Sequence, residues 1–389
     1  MLDFPSLFKI KKEKATLLLD IGNEAVKAQI FQEKDYNPPT TSSPFSFHSK
    51  RAPKKITTLG NSLEYLDYYG MPDVRNSERD ILEKVILKTF RNLGLQNLRL
   101  KFDIFVLLGL PADILRTRVI SQNFKRGEPK KIIDEKEEKE IFQKIIDEAR
   151  KKACRIYSEN SGILPEDLQF VSSKINGIKI DGYEVPVLQK YSGRNLDFKI
   201  LTAILPKYYL KEIEDICQTT GLHDRKIVHE IEALIPYFKE KPDGIFLDVG
   251  GEKTQIFLVK SSKPEATEEF ETGGKTFSRA LSEKLGLRLP EARILKERYS
   301  RKELSMESME RIKEILYPVC QTWFKNLKLK LKEMKPEGFL PRNIVLFGEG
   351  GRLPEISEIL EKGNWNDFFL NLKPNIKNLN NSQINLPEL

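Results

Sequence analysis

The chain has 389 residues, with 65 Lys plus Arg against 57 Asp plus Glu and a formal net charge of +8. That length exceeds one small core and implies two or three domains or one bilobed body, and 39% hydrophobic with 31% charged residues exclude a disordered chain. No run of about 18 apolar residues exists, which excludes a spanning helix, and Asp3, Lys9, Lys11 and Lys12 stand where a secretory signal needs an apolar core.

Cys154, Cys217 and Cys320 lie far apart and, with His48, His223 and His229, make no zinc spacing. No disulfide framework is visible either, so a reducing cytosol is expected. The modest charge, without a recognisable RNA- or DNA-binding signature, predicts no nucleic-acid partner.

Residues 16–31, TLLLDIGNEAVKAQIF, read as strand, tight turn and strand, with Val26, Ala28 and Ile30 alternating onto one face. Residues 35–62 carry PPTTSSPFS and read as a hairpin connection or exposed loop. From 77 to 95, apolar residues at 81, 82, 85, 86 and 90 follow helical spacing, and Gly94 supplies a stop. KFDIFVLLGLP (101–111) reads as a buried strand. Residues 134–160 form a charged amphipathic helix, with Ile141, Ile145, Ala149 and Ala153 at intervals of four. Short strands are expected over 168–205, a helix stopped by Gly221 over 210–222, and a strand running into a helix over 226–238. GIFLDVGGEKTQIFLVK (244–260) repeats the pattern of 16–31. Residues 274–299 read as helical, and 341–360 as strand, glycine turn and helix. Trp323 and Phe324 read as core residues of a further helix. The tail 364–389 holds eight Asn in 26 residues and is expected to be loosely ordered.

Three segments share one design: LLLDIGNEAVK, IFLDVGGEKTQ and IVLFGEGGRLPEI are apolar strands that end in glycine-bearing turns. Glycine lets backbone amides approach a phosphate closely. An Asp at the strand end, as at Asp20 and Asp248, can hold a hydrated Mg²⁺ beside that phosphate. A helix opening after the third turn would offer its first amides to a phosphate or to the edge of a nucleoside. One such turn is a weak signal. Two Asp-x-Gly hairpins about 230 residues apart, with a third glycine turn about 100 further on, point to duplicated halves closing on a nucleotide.

With these motifs the sequence resembles the actin-like ATPase superfamily, and within it the FtsA family of bacterial cell-division proteins. Asp20, Gly22, Asn23 and Lys27 match the first phosphate motif, and Asp248, Gly250 and Gly251 the second. Gly348, Gly350 and Gly351 match the adenosine motif. The Gly273-Gly274 start resembles the family's Gly-Gly-x-x-x-Thr helix start, and ARILKERY, with Lys296 kept, resembles its adenine-contacting helix, Arg293 standing where that helix usually has Glu. Asp181, Gly182, Pro186, Gly193 and Leu196 resemble a strand pair of its inserted subdomain; the pilus-assembly ATPase PilM shares the general architecture.

The resemblance implies an α/β actin-like bilobed fold of two RNase H-like halves with an FtsA-type inserted α/β subdomain. Residues 1–103 would begin lobe I, 104–205 form the inserted SHS2-like subdomain, 206–243 return to lobe I, 244–363 make lobe II and 364–389 the tail. ATP and Mg²⁺ are the implied cofactors, with Asp20 and Asp248 holding the metal through water. Lys27 could reach the β- and γ-phosphates as a point charge; Asn23 could donate to phosphate or form an Asx turn. Glu230 or Glu232 would orient the attacking water of a slow ATPase, Glu230 being favoured by its spacing to Ala233. His229 reads as a packed histidine. Two departures stand out: Glu252 puts a carboxylate in the second phosphate turn and must point away or meet the metal, and Glu349 occupies a usual glycine slot.

The implied role is self-association into filaments that link an FtsZ-like tubulin homologue to the cytoplasmic membrane, from a peripheral position on its cytoplasmic face. A PilM-like pilus platform is the alternative, and a sugar- or acetate-type kinase a third. The chain ends NLNNSQINLPEL, unlike a basic amphipathic tether. Leu2, Phe4, Leu7 and Phe8 with Lys9, Lys11, Lys12 and Lys14 offer a substitute at the N-terminus. The aromatic segment 365–372 is a weaker candidate for membrane or partner contact.

Overall fold

A computed structural model describes residues 12–22, 25–35, 54–65, 77–112, 114–235, 238, 242–334, 340–369 and 372–379. The chain divides into two compact units, one of Met1–Gly109, Glu214–Val228 and Asn385–Leu389, the other of Leu110–Ile213 and His229–Ile384.

The first unit opens with β1 (Glu13–Ile21), β2 (Ala25–Asp35) and β3 (Lys54–Tyr65). β1 alternates buried and half-exposed residues, as its Leu17, Leu19, Ile21 pattern requires. The expected loop at 35–62 is wrong for its second part: residues from Lys54 pair along β2 as a strand. The β-branched run Ile56, Thr57, Thr58 suits a pleated surface, and a long partner strand outweighs the turn-like composition. α1 (Ser77–Asn92) is followed by Gly94 at φ 63, the expected stop, and a short α2 (Leu95–Lys101) leads into β4 (Phe102–Gly109).

The next strands build a separate sheet. β5 (Arg116–Lys125), α3 (Glu135–Ser161), β6 (Leu168–Ile180), β7 (Tyr183–Glu184) and β8 (Asn195–Pro206) follow in order, and the sheet runs β5-β8-β6-β7, antiparallel throughout. The Asp134 side chain caps α3 by accepting from the Glu137 amide, and Gly162 at φ 73 ends it. Ile141, Ile145, Ala149 and Ala153 are buried, as their spacing predicts, in a core with Ile120, Phe198 and Ile200. α4 (Lys207–Thr219) then leads to β9 (Arg225–Ile227), which completes the first unit's sheet in the order β3-β2-β1-β4-β9.

The rest belongs to the second unit: α5 (Glu230–Leu234), β10 (Gly244–Val249), β11 (Thr254–Lys260), β12 (Lys263–Phe270), α6 (Gly274–Leu285), α7 (Leu289–Ser300), α8 (Met306–Glu333), β13 (Asn343–Phe347), α9 (Pro354–Lys362) and β14 (Asn375–Asn378). Its main sheet runs β12-β11-β10-β13-β14, the same order as in the first unit. In both sheets the first three strands are antiparallel neighbours and the last two join in parallel. The repeated strand–turn–strand motif therefore marks a duplicated fold, not merely a duplicated hairpin.

The helical stretch 274–299 consists of two helices, separated where Gly286 takes φ 65. Of the tail expected to be loosely ordered, residues 364–369 and 372–379 are described. Trp365 and Phe369 are 3% and 4% exposed, Trp365 packing on Phe324 and Phe369 on Trp365, so these two aromatics of the candidate segment 365–372 serve the core. β14 pairs in parallel with β13, and its asparagines bond outward, Asn375 to Asn343 and Asn378 to Ser357, each at 3.1 Å. Side-chain amides thus help to anchor a strand that has no hydrophobic period to betray it. Residues 1–11 and 380–389 lie outside the described residues, and with them Leu2, Phe4, Leu7, Phe8, Lys9 and Lys11 of the N-terminal substitute tether; of its other lysines, Lys14 belongs to β1 and Lys12 donates to the Arg99 carbonyl at 2.7 Å. Trp323 and Phe324 are core residues of α8, as expected, and all three cysteines are free and buried. Among the described residues no helix is long and apolar enough to cross a membrane.

Candidate functional site

Each unit carries one Asp-x-Gly turn at the same place in its sheet. In the first, Asp20 stands one residue before the end of β1, opposite Lys27 of β2, and the Gly22 amide closes the turn on the Ala25 carbonyl at 2.9 Å. In the second, Asp248 stands one residue before the end of β10, opposite Gln255 of β11, and the Gly250 amide closes on the Lys253 carbonyl at 2.9 Å. Register therefore makes Gln255 the counterpart of Lys27, a position that carries no motif in the sequence. Asn23 lies outside the described residues.

A glycine stands beside each aspartate. Gly109, on the parallel neighbour β4, pairs with Asp20, and a Cβ built on it would lie 3.2 Å from the Asp20 carboxylate. Gly348, just past β13, takes φ 81, and a Cβ there would collide with the Asp248 carboxylate. Gly109 was not singled out in the sequence. Its signal is an apolar strand ending in glycine, which becomes meaningful only once β4 is known to lie beside β1.

Within the second unit the remaining candidates converge. The amides of Gly274 and Lys275, at the start of α6, donate at 2.8 Å to the carbonyls of Gly250 and Gly251. Gly273 has no room for a Cβ, which would lie 2.6 Å from both of those carbonyls. Lys296 of α7 is 6% exposed and donates to the Gly274 carbonyl at 2.8 Å. A Cβ on Gly274 would lie 3.2 Å from that ammonium and 3.8 Å from the Gly350 Cα. The Gly250–Gly251 turn, the start of α6, Lys296 and the Gly348–Gly351 turn thus form one corner beside the buried Asp248, which is 7% exposed. The third turn is a single 3₁₀ turn over Glu349–Arg352, and α9 opens beyond it at Pro354 rather than on the glycines.

The departures from the family pattern are accommodated. Glu252 turns to α6 and pairs with Lys275 at 2.8 Å and Arg279 at 3.5 Å, away from the Gly250 amide. Glu349 pairs with Arg352 at 3.1 Å. Arg293, on α7, is 12% exposed and lies 3.9 Å from Glu297.

His229 caps α5. Its Nδ1 accepts from the Ile231 amide at 3.2 Å, and its ring meets Phe257 at 5.2 Å between centroids. Burial drives it down to about 4, against a smaller upward pull from a hydrogen bond with Gln255. It is therefore neutral near pH 7, with Nδ1 as acceptor and Nε2 as the protonated nitrogen. The packed histidine expected from sequence also sets the start of the helix that carries Glu230 and Glu232. Glu232 is half-buried there, its amide on the His229 carbonyl at 3.0 Å.

The donor set fits a hydrated divalent cation held by one carboxylate and a ligand's phosphates. Among the described residues no group of three His, Cys, Asp or Glu could cage a metal. Mg²⁺ keeps several waters and is commonly bound in that way.

No protein-family model matches the sequence, and no curated protein matches it. Solved structures do. A structure of a PilM–PilN type IV pilus biogenesis complex matches with a TM-score of 0.56 at 17% identity, over 94% of this chain and 88% of that one. The ethanolamine utilization protein EutJ from Carboxydothermus hydrogenoformans gives 0.43 at 13% identity, over 94% and 84%. MreB5 of Spiroplasma citri, bound to ADP, gives 0.43 at 12%, over 95% and 92%. The PilM likeness and the two sheets of one strand order give this chain the actin-like ATPase fold. At such identity the likeness fixes the fold and no narrower family, so the FtsA membership expected from the motifs is not established by it.

Proposed function

We propose that this protein binds ATP with Mg²⁺ and acts as an assembly component whose inserted sheet, β5 to β8, recognises a partner. The nucleotide reading rests on the corner around Asp248. A buried carboxylate near a strand end, two glycine-rich turns, and the Lys296 ammonium at the start of α6 suit a phosphate chain with its metal and a nucleoside beside it. Asp20 and Lys27 offer the same chemistry from the first unit's turn. Glu230 or Glu232 would orient water for slow hydrolysis. Mg²⁺, when bound, would neutralise charge on the phosphates.

Of the two assembly roles, we favour the pilus-platform type over the division type. Among the described residues, β7 pairs with the outer side of β6 at Lys179 and Ile180, and the Val185 amide donates to the Ile178 carbonyl at 3.0 Å. Residues 168–175, short of the buried Asn176 that bonds to Pro264, therefore present an open ladder to which an extended partner segment could add a strand. The PilM structure is itself a complex with PilN. The residues that suggested FtsA have a purely local explanation. The Asp181 carboxylate accepts from the Arg194 and Asn195 amides at 3.0 and 2.8 Å, Gly193 makes room for Ile180 and Asp181, and Leu196 is fully buried. They lock one hairpin end and do not discriminate between the two families. An FtsZ-like partner and filaments remain the rival reading.

Calorimetric titration with Mg-ATP tests the site. Asp248→Ala should weaken binding at least about tenfold while leaving the fold intact; unchanged affinity would remove the reading. Sedimentation with Mg-AMPPNP separates the roles, since a filament former pellets and a platform component stays in solution.

A further inference from the structure

The inserted sheet is joined to the second phosphate turn by a chain of ion pairs. Arg116, on β5, pairs with Glu269 of β12. Glu269 lies 3.5 Å from Lys253, the residue whose carbonyl closes the turn on Gly250. One carboxylate oxygen, Oε1 of Glu269, serves both cations. The side chains are 17%, 18% and 6% exposed for Arg116, Glu269 and Lys253, so water screens them far less than a surface pair. Lys253 also pairs with Glu271 at 2.6 Å, closer than Glu269, but the Glu271 carboxylate is 75% exposed and screened by water.

The surroundings make the chain a mechanical link as well. The Val119 amide of β5 donates to Thr267 of β12 at 3.1 Å, and Asn176 of β6 to the Pro264 carbonyl at 3.2 Å. At the far end of β12, the Thr254 hydroxyl, next to Lys253, donates to the Thr272 carbonyl at 2.6 Å and accepts from Trp323 at 2.8 Å. β12 therefore touches the inserted sheet along its length and the phosphate turn at its end.

We infer that Arg116, Glu269 and Lys253 couple the inserted sheet to the phosphate turn, with Glu269 as the positioning residue between them. An anion drawn to the turn competes with Glu269 for the Lys253 ammonium and leaves the shared oxygen to Arg116. Coupling of this kind is reciprocal, so a partner on the inserted sheet changes the affinity of the turn by the same factor. The ligand half of this inference rests on the proposed nucleotide site; the coupling itself does not.

Hydrogen exchange measured on peptides covering 116–121 and 248–254 tests both halves. Without ligand, Arg116→Met should speed exchange at the Gly250 amide at least about threefold, although Arg116 does not touch the turn, and Lys253→Met should alter exchange at Val119. Arg116→Lys should restore much of the Gly250 protection. The double variant should do little more than the larger single one, as members of one network do. If Arg116→Met fails to fold, Arg116→Gln takes its place. A Gly250 amide unmoved by either variant, with Val119 loosened, would overturn the inference. With Mg-AMPPNP, protection should appear at 248–254 and extend to Val119 in the wild type, and should stop at the turn in Glu269→Gln. Protection confined to the turn in the wild type would also overturn it. Absence of protection at the turn would count against the nucleotide site, with the ligand-free arm still deciding the coupling.

Discussion

The histidine that caps α5 should make stability depend on pH in a defined window. His229 holds a native value of about 4 against an ordinary 6.5. Between those values the unfolded chain takes up a proton that the folded chain refuses, so stability falls as the pH falls from 6.5 towards 4 and is fully present above 6.5. A gap of 2.5 units at about 1.4 kcal/mol per unit gives a loss of about 3 kcal/mol across the window. Protonation would also abolish the Nδ1 acceptor, so the α5 cap goes with it. The assay is urea unfolding at pH 7.5, 6, 5 and 4, in wild type and His229→Asn. Asparagine can accept from the Ile231 amide but takes up no proton, so its profile should lack this component whatever constant offset the smaller side chain brings. Parallel profiles for the two proteins would refute the reasoning, as would an NMR titration that places His229 near 6.5.

Gly348→Ala combines a left-handed backbone at φ 81 with a Cβ driven into the Asp248 carboxylate, and should cost about 2 kcal/mol or more with loss of Mg-ATP binding, read by thermal melting and titration. Trp365→Ala opens a cavity among Phe324, Phe368 and Phe369 and should destabilise by about 3–5 kcal/mol, with no change in vesicle flotation. A loosely held tail would tolerate the change.

What the sequence made legible was whatever a short window of chain decides. The strand–turn–strand repeat at 16–31 and 244–260 shows its alternation and its glycines locally, and α3 shows its period in four apolar residues. The tail hid because β14 depends on a partner: NIKN has no apolar period and gains its place from the β13 backbone and two asparagine bonds. β3 hid for a similar reason, since its Thr, Gly and Asn are loop-like until β2 lies beside them. At the site, Asp248 and its glycines were legible as a motif, but the reason for each glycine was not. Gly273 and Gly348 exclude side chains because backbone and carboxylate already fill that space, a packing demand that would hold with or without a ligand. The glycine pattern by itself is thus weaker support for phosphate binding than it looked. More weight falls on the two charged groups buried in this corner, a carboxylate at 7% exposure near a strand end and an ammonium at 6% beside a helix start, because burying charge costs far more than burying apolar side chains.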